Sequence, residues 1–333
     1  HRGRRVEVTT FRTDVSYSDG RRPKTVRFSS PKEDALRRDF TINAMFHDPC
    51  SEEVIDYVGG RADLEARVLR TVGSADRRFE EDYLRMLRAI RFAVRFGFRM
   101  DDDTAAAVRR RADRITSVSG ERIFEELTKM LQRPSAGEAL RKLDELGLAR
   151  HVLQELFEEP GLWDRAVARV EAVAPKRDEV LALGALMLDL PGGTLGGVIR
   201  RWGGGNELRG GLRWMAEHRD DWRRAATMPL CGFKRLLAGS HFERLRRLWR
   251  FEEARAAGGR TEAVRIARRV KSIAPEQIAP PPLVTGDDLK AMGLRQGPRL
   301  GRVLQTLYDA QLNEELTNRD DALRVARSLT EQG

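Results

Sequence analysis

The sequence predicts an α+β chain in which a small sheet domain is followed by an elongated, all-helical remainder. Three observations carry this. Apolar residues alternate at strand spacing before about Gly60 and recur at helical spacing after it. The stretch Arg77–Phe98, RRFEEDYLRMLRAIRFAVRFGF, sorts at roughly 100° per residue into an apolar side and a charged side. Proline and glycine then cut the rest of the chain into short helical pieces.

Strands are expected at Val6–Phe11, at Lys24–Phe28, and at Phe40–His47 with Val54–Tyr57 around the turn-like DPCSE. Thr13–Ser30 is polar and punctuated by glycine and proline, the composition of a mobile surface loop. Arg21 and Arg22 could reach a phosphate from it, although a solvated basic loop is the more usual explanation. Residues 1–60 form the sheet domain and 61–150 a helical neck. The neck has helices over Ala62–Val68, Arg77–Phe98, Asp101–Ala112, Ser119–Leu131 and Ala136–Leu146, the last closed by Gly147. Asp101–Ala112 opens with acids suited to a helix N-terminus, and Ile123, Phe124, Leu127 and Leu131 recur at core spacing.

Residues 151–278 form a helical body. Its five tryptophans, Trp163 to Trp249, read as packing residues rather than base-stacking platforms. Arg244, Arg246, Arg247 and Arg250 make a basic ridge for RNA backbone or for water. Ala279–Pro282 reads as a stiff linker to a tail, residues 279–333, with an apolar stripe of Leu300, Val303, Leu304 and Leu307.

Lysine and arginine number 61 against 51 acids, a formal charge of +10, which points to a polyanionic partner. The two cysteines, Cys50 and Cys231, form no metal or redox pattern and fit a reducing cytoplasm. No apolar run approaches the roughly 18 residues of a membrane span and no signal peptide opens the chain. No membrane partner is therefore expected, and nothing in the sequence sets an oligomeric state. The chain opens on histidine in a strand already under way, so a further N-terminal piece is expected upstream.

The charged side of Arg77–Phe98 carries Glu81, Asp82, Arg85, Arg88 and Arg91, and the other side Met86, Leu87, Ile90 and Val94. An acid followed at successive turns by arginines can hold a base edge and a phosphate chain. Cytosine and adenine both present an amino donor beside a ring-nitrogen acceptor, so a fixed carboxylate and guanidinium suit either, whereas guanine and uracil face them wrongly. The same charges also fit a solvated helix face worth a few tenths of a kcal/mol per pair, and the helix alone does not decide. A second stretch, Arg37–Ala44 (RRDFTINA), places charge at the rim of a strand, and Asn43 can donate and accept toward a ribose hydroxyl.

These stretches occur in order with IDYVGGRADLEARVLRTVG (Ile55–Gly73), EDYLRMLRAIRFAVRFGF (Glu81–Phe98) and SGERIFEEL (Ser119–Leu127). Together they resemble the bacterial class II tRNA nucleotidyltransferase and poly(A) polymerase family. The resemblance is dense from Val6 to about Leu131 and resumes weakly at VTGDDL (Val284–Leu289) and GPRLGRVL (Gly297–Leu304). It implies a polymerase-β-like nucleotidyltransferase head followed by neck, body and tail, adding CCA to tRNA 3′ ends from CTP and ATP with Mg2+. By position, Arg38 matches a nucleotide-binding arginine, with Asp39 and Asn43 beside it near the sugar. Asp82 and Arg85 match the pair that reads the incoming base, and Arg88 and Arg91 match further nucleotide-binding arginines.

Two departures stand out. The family's glycine-rich turn and metal-binding aspartate pair would precede His1, so the head is expected to be incomplete, no catalytic or metal residue is assigned within this chain, and the chain alone is expected to be inactive. Glu7 fits either an additional carboxylate near that pair or an exposed strand residue. Leu188 in ALMLDL (Ala185–Leu190) replaces the histidine of a His-Asp metal motif that some relatives carry, which argues against phosphohydrolase activity. Poly(A) synthesis, CC-only or A-only addition, and a noncatalytic RNA- or nucleotide-binding role are the alternatives. The Thr13–Ser30 loop favours full CCA addition, because relatives need a flexible loop there to pass from C to A.

Overall fold

The computed structural model describes residues 10–14, 26–173, 178–257 and 259–331. Packing divides the chain into two compact units, His1–Leu212 and Arg213–Gly333. Most of the expected Val6–Phe11 strand, Glu7, Arg21, Arg22 and much of the expected loop lie outside the described residues.

The first unit has the expected α+β character, but its strands are short. Three two-stranded ladders form among the described residues: β1 (Arg12–Asp14) antiparallel to β2 (Val26–Phe28), β3 (Phe46–His47) antiparallel to β4 (Val54–Ile55), and β5 (Val68–Leu69) parallel to β6 (Arg99–Met100). The parallel pair was not legible in the sequence, where this region reads as continuously helical. The expected Phe40–His47 strand is also shorter than read. Phe40 makes one antiparallel bridge to Thr71, and the chain then curls into a 3-10 turn, Thr41–Asn43. Local polar bonds compete with the ladder there: the Thr41 hydroxyl donates to Asp63 (2.7 Å) and the Asn43 amide donates to Asp39 (3.2 Å).

Helices surround these ladders: α1 (Pro31–Leu36), α2 (Gly60–Glu65), α3 (Ala75–Glu81), α4 (Leu84–Phe96), α5 (Asp102–Arg111), α6 (Gly120–Leu131) and α7 (Ala136–Glu145). The helix expected over Arg77–Phe98 is two helices broken at Asp82, whose backbone is extended (φ −160°, ψ 104°). A short carboxylate explains the break, since Asp82 Oδ1 accepts the backbone N–H of Leu84 (3.1 Å), one of the donors a helix start leaves unsatisfied. The apolar side behaves as read. Met86, Leu87 and Ile90 are fully buried and Val94 nearly so, where α4 packs on α6 and α7. Burial of such side chains contributes about 1.5–3 kcal/mol each. At α2, a Cβ on Gly60 would lie 2.3 Å from the Thr41 carbonyl oxygen, so only glycine lets this helix start close behind the 3-10 turn.

The unit continues through α8 (Ala149–Val152), α9 (Leu162–Val173), α10 (Glu179–Met187), α11 (Gly192–Arg201) and α12 (Asn206–Glu217), the last crossing the division between units. Leu188 is buried in this core. Asp189 accepts hydrogen bonds from Arg165 Nε (3.0 Å) and from the fully buried Arg169 (2.7 Å), which also donates to the Ala185 carbonyl. Burial pushes the Asp189 carboxyl up, but the charges and hydrogen bonds of Arg169 and Arg165 outweigh it and hold the group below its ordinary value.

The second unit holds α13 (Leu230–Leu237), α14 (Phe242–Ala257), α15 (Thr261–Lys271), α16 (Pro275–Ile278), α17 (Gly286–Ala291), α18 (Pro298–Leu312) and α19 (Arg319–Glu331). Trp163, Trp202, Trp222 and Trp249 are buried in the units that hold them, and Trp214 packs so closely on Gly239 that a Cβ there would meet its ring at 2.3 Å. Val303 and Leu307 enter a tail core with Val284, Leu289, Leu316 and Ala322, with Leu300 and Leu304 packed against it. The proline-rich segment is pinned to α18: the carbonyls of Pro280 and Pro281 accept from Tyr308 (3.0 Å) and Gln311 (2.8 Å). Lys234 pairs with Glu314 (2.9 Å), tying α13 to the end of α18. The tail thus packs with the helices before the linker, and the division between compact units falls at Leu212, inside the segment read as body.

Candidate nucleotide-binding site

An open cleft of about 550 Å3 lies where the 3-10 turn, α4 and the start of α6 meet. Five arginines, Arg37, Arg38, Arg85, Arg88 and Arg122, face two aspartates, Asp39 and Asp82, with Asn43, Leu84 and Phe92 completing the lining. The balance suits a polyanionic ligand.

Each charged side chain is aimed by a partner. Buried Asp34 on α1 accepts from Arg37 Nε (2.9 Å) and Arg38 Nε (3.0 Å), and Arg38 Nη1 donates to the Asn43 carbonyl (2.9 Å). Burial raises the Asp34 carboxyl, but the hydrogen bonds and charges of the two arginines lower it further, leaving it below its ordinary value. Asp39 accepts from the Phe40 N–H (2.9 Å) and Asn43 Nδ2 (3.2 Å) through Oδ1, and from Arg88 Nε (2.8 Å) and Nη2 (2.5 Å) through Oδ2. Its four lone-pair positions are all in use.

Arg122 grips Asp82 with two parallel bonds, Nη1 to Oδ1 at 3.2 Å and Nη2 to Oδ2 at 2.7 Å. With Leu84 N–H also on Oδ1, one acceptor position remains, on Oδ2. Arg85 Nη1 donates to Glu81 (2.6 Å) and to the Arg78 carbonyl (3.1 Å), and Nη2 makes only a long contact with the Arg37 carbonyl (3.5 Å). A carboxylate with one open acceptor and a guanidinium with open donors lie in one cleft. That pair matches the amino group and ring nitrogen of cytosine or adenine.

Of the residues singled out in the sequence, the cleft brings together Arg38, Asp39, Asn43, Asp82, Arg85 and Arg88. Arg91 does not line it. Its Nε donates to buried Glu126 on α6 (2.6 Å), which also accepts from Lys129 (3.1 Å), while the guanidinium lies 4.1 Å from the Phe92 ring centroid. Sequence reasoning missed Asp34, Phe92 and Arg122. Arg122 stands in SGERIFEEL, but its contact with Asp82 spans 40 residues and no local pattern shows it.

Among the described residues, no group of three or more His, Cys, Asp or Glu side chains could hold a metal ion.

A cleft lined by five arginines and two aspartates, on a helical neck beside a small α+β segment, has the fold and the charge expected of a nucleotide polymerase of the poly(A) polymerase type. Two family descriptions match it, "Poly A polymerase head domain" over residues 1–70 and "Probable RNA and SrmB- binding site of polymerase A" over residues 97–159. The chain belongs to the CCA-adding enzyme family: it is 34% identical to the CCA-adding enzyme of Bacillus licheniformis over 333 residues, 96% of this chain and 79% of that protein. The CCA-adding enzyme of Geobacillus thermodenitrificans is 46% identical over 169 residues, half of this chain and 41% of that enzyme, so the match spans less than half of that relative's length. The crystal structure of the Bacillus stearothermophilus CCA-adding enzyme in complex with CTP superposes with a TM-score of 0.74 at 29% identity, covering 100% of this chain and 80% of that one. The Thermotoga maritima enzyme complexed with tRNA shares the fold, with a TM-score of 0.61 at 21% identity over 90% of this chain and 73% of that one.

Proposed function

We propose that the protein carrying this chain is a template-independent RNA nucleotidyltransferase that adds CCA to tRNA 3′ ends from CTP and ATP. The observation that carries this is the Asp82–Arg122 grip beside Arg85, which leaves one acceptor and open donors for a base edge. Cytosine and adenine fit it in the same orientation, so one cleft serves two nucleotides without a template. Guanine or uracil would leave the pair unmatched while keeping its desolvation cost. Of the poly(A) and CCA readings, the second uses both bases that fit.

In this reading Arg38 and Arg88 hold the phosphate chain and sugar, and Asn43 Oδ1 accepts from a ribose hydroxyl. Asp39 acts as a positioning residue, since its lone pairs are committed to Arg88, Asn43 and the backbone. Arg91 acts through Glu126, fixing α4 against α6. The RNA 3′ oxygen attacks the α-phosphorus and pyrophosphate leaves. Mg2+ is the metal proposed for that step, and in this reading the cleft residues hold and orient the nucleotide. The chain's free cysteines, Cys50 and Cys231, fit a cytoplasmic setting, and no helix among the described residues is long and apolar enough to cross a membrane.

The test is to supply the purified protein with a tRNA lacking its terminal CCA and with single labelled nucleotides. Addition of C from CTP followed by A from ATP, with neither U nor G incorporated, is expected. Long A-tracts from ATP alone would replace this reading with poly(A) synthesis.

A further inference from the structure

The carboxylate of Asp82 is only as fixed as the helix that holds it. Arg122 reaches it from the first turn of α6, so the placement of that turn decides where the guanidinium sits. The turn rests on the end of α11, a helix that supplies no residue to the cleft. At Gly120, the first residue of α6, a Cβ would lie 1.9 Å from the carbonyl oxygen of Arg201 and 3.3 Å from the Cα of Trp202. Glycine is what lets the two backbones approach so closely. One turn further along α6, Phe124 stacks on Trp202, with ring centroids 5.5 Å apart and planes inclined by 21°.

The α11 side of this contact is held in place. The Arg201 guanidinium grips Glu155 with two bonds, Nη1 to Oε1 at 2.6 Å and Nη2 to Oε2 at 3.2 Å. Glu155 and Trp202 are both buried. The N–H groups of Gly203 and Gly204 donate back to the carbonyls of Arg200 (3.0 Å) and Ile199 (2.8 Å), closing the helix. A backbone carbonyl fixed in this way cannot swing aside as the tip of a long side chain could. A methyl group at position 120 therefore drives α6 away by about 1 Å or more before ordinary contact distance is reached. That displacement matches the whole margin between a short hydrogen bond and a lost one, roughly 2.7 to 3.6 Å, and the Arg122 bonds to Asp82 lie within it at 3.2 and 2.7 Å.

We propose that the end of α11 is the seat that sets base selection: Gly120 and Trp202 are positioning residues that act on the nucleotide through Arg122 and Asp82. The proposal rests on the base-reading role proposed for Asp82 and Arg85, and it adds residues outside the cleft that govern how well the pair is aimed. Neither residue lines the cleft. Disturbing the seat therefore changes the choice between bases more than the affinity for the triphosphate that all four nucleotides share.

The test titrates residues 1–333 with CTP and with UTP and reads the ratio of the two affinities. The variants are Gly120→Ala, Trp202→Leu, and Trp202→Phe, which keeps a ring against Phe124. Val170→Ala truncates a buried side chain on α9, a helix that supplies no cleft residue, and controls for loss of stability as such. Circular dichroism and urea midpoints check folding, and Trp202→Leu carries the test where Gly120→Ala does not fold. Gly120→Ala and Trp202→Leu should each lower the preference for CTP over UTP roughly tenfold, with UTP affinity close to the parent's. Trp202→Phe should restore most of the preference, and Val170→Ala should keep it. In Gly120→Ala/Arg122→Ala the loss should equal that of Arg122→Ala alone, because one residue acts through the other. Folded seat variants that keep the parent's ratio overturn the proposal and leave base reading by Asp82 and Arg85 intact. An additive loss in the double variant, or an equal loss in Val170→Ala, overturns it as well. A parent chain that binds CTP and UTP alike overturns the base reading itself, and the seat with it.

Discussion

Arg122 holds both carboxylate oxygens of Asp82, at 3.2 and 2.7 Å, from a helix that begins 38 residues further along the chain. The contact fixes the carboxylate plane while leaving one lone pair of Oδ2 for a ligand. Base reading in the proposed function depends on that plane, so the grip joins the start of α6 to nucleotide choice.

Arg122→Ala should therefore erode discrimination among nucleotides although Arg122 itself need not touch the base. Asp82→Ala and Arg85→Ala should do the same directly, each removing one half of the match. A loss of roughly tenfold or more in preference for C and A over U and G is expected, from about 1–3 kcal/mol of unmatched pairing. Single-nucleotide incorporation with each folded variant measures it. Unchanged base choice in all three would remove the base-reading role from this cleft.

Arg38→Ala and Asp34→Asn should weaken CTP and ATP alike. Asp34 aims Arg37 and Arg38 into the cleft, and contacts to phosphate or sugar carry no base information. Calorimetric titration with each nucleotide gives the result. A change in the ratio of CTP to ATP affinity, rather than a parallel loss, would place Arg38 at the base.

Asp189→Asn should destabilise the first unit by about 3 kcal/mol, since it removes the carboxylate charge that faces the buried Arg169 guanidinium. The pH dependence has a definite sign. The folded-state carboxyl lies below its ordinary value of 3.8, so its stabilising contribution is fully present above that value and is lost as pH falls through the depressed folded value. The stability gap between parent and variant, read from urea midpoints, should be full at neutral pH and close on strong acidification. A gap that stayed constant in acid would mean that Asp189 is not the charged partner of Arg169.

The apolar face of α4 was legible because helical periodicity is local: Met86, Leu87, Ile90 and Val94 are buried as their spacing requires. The break at Asp82 was not, because the same periodicity runs through it and only the bond from Leu84 N–H to the side chain shows that the acid ends one helix and begins another. Six of the seven candidate residues chosen from motifs meet in one cleft, a juxtaposition that order along the chain does not itself establish. Arg91 departs because its position on the helix turns its guanidinium toward Glu126, and a partner on α6 is a tertiary fact. Asp34 and Arg122 were missed for the same reason: each acts by holding another side chain, and neither stands in a pattern of its own.

The proposed function requires that Asp82 and Arg85 read the edge of a free nucleotide base. Its most direct test is titration of residues 1–333 with CTP, ATP, UTP and GTP in parallel, with Asp82→Ala alongside. CTP and ATP should bind roughly tenfold or more tightly than UTP and GTP, from about 1–3 kcal/mol of unmatched pairing, and this preference should disappear in Asp82→Ala while triphosphate binding persists. Equal affinity of the parent chain for all four nucleotides would contradict it.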